Sequence, residues 1–282
     1  MISKDTRFLI VGLGLMGGSY ARGLSKKGYH VDAIDINQAS LDYALEHGFI
    51  QQGSTDASIL LPQADIILSA LYPTTMVQWI KEHQHEFKSG ALMSDVSGVK
   101  GCIVHQVQSF LRDDVEFCAS HPMAGKEVSG VQYADESIFQ IANFIITPTE
   151  KNTAEAVLTI KELAHILEFA NLSILTPEKH DEMIGYVSQL THAIAVSLMN
   201  ANDDPNLVAY TGDSFRDLTR IAKINDTLWC ELFHLNKENL IREITDFVAT
   251  LNHLKDTLET NDEEELKRLF QRSTERRKLF DR

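Results

Sequence analysis

The sequence predicts an α/β Rossmann domain with a mostly parallel sheet, followed by an all-helical domain. Short apolar runs alternate with amphipathic stretches through the first half, a G-x-G-x-x-G pattern follows the first of these runs, and strand-like runs cease after about residue 150. At 282 residues the chain has length for two cores. The nucleotide-binding domain is expected over 1–172 and the helical domain over 173–282.

The runs Phe8–Val11, Val31–Asp35, Ile66–Leu71, Ala91–Val96, Glu116–Ser120 and Phe144–Thr147 read as strands, with Ile66–Leu71 buried at the sheet centre. Between them, Gly18–Lys27, Gln38–Glu46, Thr74–Phe87 and Gly101–Leu111 carry apolar residues at three- and four-residue steps, as crossover helices do. Ala154–Phe169 continues the helical spacing, and from Pro177 onward helix follows helix with short breaks. Thr176-Pro177 reads as a helix start, the threonine oxygen capping a free N–H and proline filling a position that needs no donor. Near the end, Thr260-x-x-Glu263 reads as a capping box that opens a last helix with Leu266, Leu269 and Phe270 on one stripe. Such a stripe requires a partner surface.

Twenty-six basic against 40 acidic side chains give a net charge of −14, which repels a phosphate backbone and argues against a nucleic-acid partner. An anionic small molecule stays compatible, because cations inside a pocket are screened from a distant acidic surface over roughly 8 Å. The three cysteines Cys102, Cys118 and Cys230 have neither disulfide nor zinc spacing and are expected to be reduced, buried thiols. The apolar run Phe8–Val11 is too short for a signal peptide or a membrane span, so a cytoplasmic protein is expected.

Gly12-Leu13-Gly14-Leu15-Met16-Gly17 lies between a strand and a helix, the context that gives the glycine pattern meaning. The first glycine permits a tight turn, the second lets a pyrophosphate approach the backbone, and the third lets helix pack on strand. Asp35, at the end of the next strand, suits an adenosine ribose and repels a 2′-phosphate, so NAD is favoured over NADP. Tyr72-Pro73 lies at another carboxyl strand end and is either a wall on the nicotinamide side or an ordinary turn.

His121-Pro122-Met123-Ala124-Gly125 follows a strand end, and the proline disfavours helix, which places the imidazole on an extended segment at the sheet's ligand-binding edge. Oxidising an alcohol with NAD needs a base for the hydroxyl proton, and a histidine suits that task near neutrality. Ser97, in the turn Asp95–Lys100, can contact both a substrate hydroxyl and His121, or can cap a helix. Glu127 either joins the site's polar network or is a solvated surface acid. His180, Ile184, Ser188 and His192 share one helix stripe, the two histidines ~18 Å apart, too far to chelate one metal. No metal motif is found and no metal is expected. Arg216 and Arg220 lie one turn apart, with Asp217 three before Arg220. They form either a carboxylate clamp or a surface ion pair. Trp229 reads as a core or interface aromatic.

Taken together these segments resemble the prephenate dehydrogenase family, which includes the arogenate dehydrogenases. The shared motifs are Gly12–Gly17, Asp95–Lys100, His121-Pro122-Met123-Ala124-Gly125-Lys126-Glu127, His180-Asp181, Ser188–His192, and Phe215–Ala222 followed by Trp229. The resemblance implies NAD-dependent oxidative decarboxylation of prephenate and a helical dimerisation domain, hence a homodimer. It implies that His121 accepts a hydrogen bond from the ring hydroxyl, Arg220 binds a carboxylate, His192 lines the pocket and Glu127 joins its polar network. Three departures stand out: Ser97-Gly98 replaces the common Gly-Ser order, Ser188-Gln189-Leu190-Thr191-His192 replaces S-H-L-P-H, and Asp213-Ser214 replaces a glycine-rich approach. The residues after the helical region leave little room for a regulatory module, so any tyrosine inhibition is expected at the active site. Two other classes fit the sequence: a β-hydroxyacid dehydrogenase using Lys179 or Lys223, and an NAD-sensing protein without chemistry.

Overall fold

The computed structural model describes residues 1–281. Its first part runs β1 (Arg7–Val11), α1 (Leu15–Lys26), β2 (His30–Ile34), α2 (Gln38–Glu46), β3 (Gln52–Ser54), α3 (Ala57–Leu60), β4 (Ile66–Ser69), α4 (Pro73–His83), β5 (Leu92–Asp95), α5 (Gly101–Phe110) and β6 (Glu116–Phe117). These six strands form one sheet in the order β3-β2-β1-β4-β5-β6, every pair parallel. β1 shows why the sheet is covered on both faces: Phe8 and Ile10 pack with Tyr20, Leu24, Ile160 and Leu163, whereas Leu9 and Val11 pack with Met76, Ile80, Ile103 and Val107. The carboxyl ends of β1, β4 and β5 then share one edge, which carries the Gly12, Tyr72 and Ser97 loops.

The parallel sheet is shorter than the sequence suggests. The expected strand Glu116–Ser120 divides at Cys118 into the two-residue edge strand β6 and a new strand, β7 (Ala119–Pro122). β7 leaves the parallel sheet and pairs antiparallel with β8 (Asn143–Thr147), with His121 opposite Ile145. After α6 (Ala154–Ile166), β9 (Asn171–Ile174) completes this second, three-stranded sheet. Thus Phe144–Thr147 is a strand but not a member of the parallel sheet. Residues 117–120 are buried throughout, so the apolar run continues across the change of sheet and periodicity cannot register it. β3 and β9 escape the sequence reading because Gln52-Gly53-Ser54 and Asn171–Ile174 are mostly accessible and carry little apolar signal. β9 crosses the boundary drawn after residue 172.

From residue 177 the chain is helical: α7 (Pro177–Ile184), a π-turn (Gly185–Leu190), α8 (Thr191–Asn200), α9 (Leu207–Tyr210), α10 (Asp213–Thr219), a 3₁₀ turn (Arg220–Ala222), α11 (Asp226–Leu235), α12 (Lys237–Glu259) and α13 (Glu263–Arg277). Thr176 caps α7 by accepting from the Lys179 amide at 3.2 Å, with Pro177 at the first helical position. The capping box at Thr260 is not formed. Asp262 caps α13 instead, accepting from the Glu265 amide at 2.9 Å, while Thr260 Oγ1 donates back to the Asp256 carbonyl. A carboxylate directly before three glutamates still suits the helix, because its free amides are better satisfied by the nearer acceptor. Phe270 is exposed, as are Ile241, Ile244, Val248, Leu251 and Leu258 on α12. Of the cysteines only Cys118 is buried, and burial pushes its thiol up to about 12; Cys102 and Cys230 are exposed, contrary to expectation. All three are free.

Candidate active site

The glycine turn has the form its sequence implies. Gly12 adopts φ +93°, a left-handed conformation that glycine accommodates without strain. A Cβ on Gly17 would lie 1.9 Å from the Gly12 carbonyl oxygen, so only glycine lets α1 start this close to the strand. A Cβ on Gly14 would meet nothing within 4 Å, which leaves the backbone there open to a ligand. Gly14 is also the N-cap of α1 and offers no side-chain cap, so the amides of the first helical turn face outward unpaired by side chains. Asp35 holds this turn in shape: its carboxylate accepts from the Leu13 amide at 2.6 Å and from the Asn37 amide at 2.7 Å. These features fit a dinucleotide whose pyrophosphate lies over Gly14 and whose ribose reaches Asp35.

Across the sheet edge, β7 presents His121. Its Nδ1 lies 2.8 Å from His180 Nε2, and His180 Nδ1 lies 2.8 Å from Asp181 Oδ1. Asp181 in turn accepts from the amides of Lys100 and Gly101, each at 2.7 Å, so its carboxylate sits at the amino end of α5. This network fixes both tautomers. Ionised Asp181 requires the proton on His180 Nδ1, His180 Nε2 then accepts from His121 Nδ1–H, and His121 Nε2 is left with its lone pair. Burial, with His180 and Lys100 close by, holds the His121 imidazole well below its usual pKa range, and burial likewise lowers His180 against the opposing pull of Asp181. A partly accessible, neutral imidazole with a free acceptor nitrogen results.

The turn that supports His121 is built on a buried ion pair. Lys100 Nζ lies 2.6 Å from Asp95 Oδ2, with both side chains wholly buried. Asp95 also accepts from the amides of Ser97 at 3.0 Å and Ser120 at 3.2 Å, the latter adjoining His121. Removing one member of such a pair strands a buried charge. We predict that Lys100→Met lowers stability by about 3–5 kcal/mol, a fall on the order of 10 °C in Tm for a chain of this size, measurable by thermal denaturation. Ser97 Oγ is buried with no hydrogen-bond partner among the described residues, so it does not support His121; His180 does. Gly98 stands at the family's serine position. A Cβ there would lie 3.9 Å from His121 Cε1 and 3.5 Å from Leu232, ordinary contact distances.

The helical region supplies the cationic side. Arg220 opens its 3₁₀ turn and pairs through Nη1 with Glu127, joining two residues 93 positions apart. Asp217, three positions before it, is not paired with it. Arg216 instead bonds Asp213 at 3.3 Å and the Thr211 carbonyl at 3.1 Å, and takes no part in a clamp with Arg220. The π-turn changes the helix phase between His180 and His192, so the two do not share a continuous stripe. His180 faces His121, whereas His192 is half-buried and stacks on Trp229 with centroids 3.6 Å apart. Gln189, where the family has histidine, is buried and structural: it donates to the Leu232 carbonyl at 3.0 Å and accepts from Asn236 at 2.8 Å. Tyr72 stands at the N-cap position of α4 without a side-chain cap bond, and its hydroxyl accepts from Asn225 at 2.9 Å. The pairing of His121 with His180-Asp181 lies outside what spacing could reveal; adjacency of the two residues was its only sequence trace. Among the described residues, no three His, Cys, Asp or Glu side chains are grouped to hold a metal ion.

A parallel doubly wound sheet, an open glycine turn with its acid, and a neutral histidine on the segment that follows the last parallel strand define a Rossmann-type, NAD-dependent oxidoreductase. The nucleotide-binding domain model of prephenate dehydrogenase matches residues 20–170, and its dimerization domain model matches residues 176–272. The chain belongs to the prephenate dehydrogenase family. It is 30% identical over 281 residues to prephenate dehydrogenase of Bacillus subtilis, covering 95% of this chain and 74% of that protein. To cyclohexadienyl dehydrogenase of Zymomonas mobilis it is 26% identical over 278 residues, covering 95% and 94%. Among solved structures it is similar to prephenate dehydrogenase from Aquifex aeolicus in complex with hydroxyphenyl propionate and NAD+, with a TM-score of 0.89, 31% identity and 98% of each chain covered.

Proposed function

We propose that the protein catalyses NAD-dependent oxidative decarboxylation of prephenate to 4-hydroxyphenylpyruvate, the precursor of tyrosine, and that the His121–His180–Asp181 chain carries the proton chemistry. The observation that supports this most is the free, neutral Nε2 of His121, held by a network that dictates its tautomer. NAD, when bound, supplies the acceptor for the hydride leaving the ring carbon. His121 Nε2 takes the hydroxyl proton as that carbon becomes a carbonyl. The carbonyl then draws the electron pair of the departing carboxylate, and the resulting phenolate recovers the proton from His121. Prephenate and NAD give 4-hydroxyphenylpyruvate, CO2 and NADH with no net proton, so His121 ends each cycle neutral. Asp181 and His180 stabilise the transient imidazolium, as an oriented carboxylate does in other histidine-based sites.

Arg220 suits the side-chain carboxylate better than the ring carboxylate. A strong clamp on the departing group would stabilise the ground state and slow its loss, whereas a clamp on the distant carboxylate orients the ring without that penalty. Glu127 uses one face of the guanidinium, leaving other donors for the substrate. Ser97 and His192 border the ring, and Gly12, Leu13, Gly14, Leu15, Met16, Gly17 and Asp35 hold the dinucleotide, with Tyr72 and Pro73 on its nicotinamide side. The exposed apolar face of α12 and α13, together with the match to a dimerization domain, supports a homodimer. The acidic composition disfavours nucleic acid, and a cytoplasmic location accords with there being no membrane-length apolar helix among the described residues.

Arogenate is the second reading, favoured by one observation: Glu127 beside Arg220 gives a zwitterionic side chain an acceptor for its ammonium. The test is NADH formation at neutral pH with prephenate and arogenate in parallel, and with NADP replacing NAD. Prephenate turnover with NAD, at least about tenfold (~1.4 kcal/mol) better than with NADP, is expected. Faster turnover of arogenate would transfer the assignment to that substrate, and turnover of neither would remove both.

A further inference from the structure

α11 touches several parts of the candidate site, and two of its contacts reach across to the Rossmann domain. Asn225, its N-cap, uses Oδ1 to accept from the Leu228 amide at 3.1 Å and points Nδ2 at the Tyr72 hydroxyl, 2.9 Å away. Glu231, a turn and a half later, accepts from the Thr74 amide at 2.6 Å and thereby caps α4 from another domain. Partner and residue are 153 positions apart in the first case and 157 in the second. Both bonds end on the Tyr72–Thr74 segment, which directly follows Ala70 and Leu71, the two residues that pack on the glycine turn: a Cβ on Gly12 would meet Leu71 at 3.1 Å and the Ala70 carbonyl at 3.2 Å. The same helix carries Trp229 against His192, lays Leu232 beside Gly98 and receives the Gln189 bond from the π-turn.

We infer that Asn225 and Glu231 are positioning residues that couple dinucleotide binding to substrate binding, so that each ligand is held more tightly when the other is present. The inference rests on the proposed reaction, in which the hydride donor is held by the helical domain and its acceptor by the Rossmann domain. α11 fixes the separation between them. A ligand that settles Tyr72 and the amino end of α4 settles α11 through these two bonds, and with it His192 and the approach to Arg220; thermodynamic linkage makes the effect reciprocal.

The test is a binding cycle on the full chain. Affinity for NAD is measured by titration calorimetry with and without saturating hydroxyphenyl propionate, in the wild type, in the double variant Asn225→Ser/Glu231→Ala, and in Glu231→Gln. Serine still caps α11 but is too short to reach Tyr72; glutamine still offers an oxygen to Thr74. Hydroxyphenyl propionate is expected to tighten NAD binding by about fivefold or more in the wild type, within the usual range of coupling, and to have almost no effect in the double variant. kcat should fall in the double variant while each ligand's separate affinity changes little, and Glu231→Gln should keep most of the coupling. A merely structural role would lower Tm without altering the coupling factor. Full coupling in the double variant, or its absence in a wild type that binds both ligands, overturns the inference. Failure of the wild type to bind NAD at all instead overturns the proposed function. Should the double variant not fold, Asn225→Ser alone is expected to lose a measurable part of the coupling, and unchanged coupling there overturns the inference equally.

Discussion

Replacing His121 with asparagine is expected to lower kcat for prephenate by about 10²-fold or more, the usual size of a general-base contribution, with little change in NAD affinity. Asparagine keeps a polar group of similar size that can still hydrogen-bond His180, so the loss isolates proton transfer from packing. The pH dependence gives a second reading of the same group. Only neutral His121 accepts the hydroxyl proton, and burial holds its pKa well below the unperturbed value of about 6.5. Wild-type kcat/KM is therefore expected to stay level through neutrality and to fall only as pH drops below that value. The asparagine variant should lack this acid limb. A steady-state pH profile checks both, and a variant that retained wild-type turnover would assign the base elsewhere.

The same depressed pKa values affect stability, with a definite sign. Unfolded, His121 and His180 protonate near about 6.5; folded, both resist protonation. Below that pH the unfolded chain binds more protons than the native one, so stability rises with pH and is lost as pH falls through the unfolded pKa. The buried relay thus carries an acid liability that the proposed catalytic use requires, since a histidine with a normal pKa would be partly charged at neutral pH.

What the sequence disclosed and what it withheld divide along physical lines. The glycine turn was legible because each glycine answers a local requirement: a positive φ at Gly12, an open approach at Gly14 and a 1.9 Å conflict at Gly17. His121 was legible through the proline that follows it and its place after a strand. The relay partner His180 was not, because 59 residues separate it from His121 and nothing in helix periodicity says that two elements will meet there. The second sheet was hidden for a related reason: residues 117–120 stay buried while the chain changes sheets, and apolar character records burial rather than partner. Arg220 was legible as a candidate carboxylate-binding cation, but its pairing was left open between a clamp and a surface ion pair. Asp217 is nearer in sequence, yet its place on α10, before the 3₁₀ turn, leaves Glu127 of the histidine loop to pair with the guanidinium.

That pairing shapes the expected behaviour of Arg220. Replacing Arg220 with glutamine is expected to reduce kcat/KM for prephenate by about 10²-fold, the order of the 1.5–3 kcal/mol associated with a hydrogen bond to a charged group, and to do so chiefly through KM. A carboxylate that keeps its charge throughout the reaction is bound equally in ground and transition states, and losing uniform binding raises KM while sparing kcat. Had the arginine instead gripped the departing carboxylate, the variant would change kcat as well. Glu127→Gln separates the clamp from its neighbour. The Glu127 carboxylate beside the exposed guanidinium repels an incoming carboxylate, so neutralising it is expected to lower KM for prephenate, while arogenate, deprived of an acceptor for its ammonium, is expected to bind less well. Steady-state kinetics of both variants with both substrates distinguish these roles: opposite shifts for prephenate and arogenate in Glu127→Gln place the acid at the side chain, and parallel losses would reduce it to a support for Arg220.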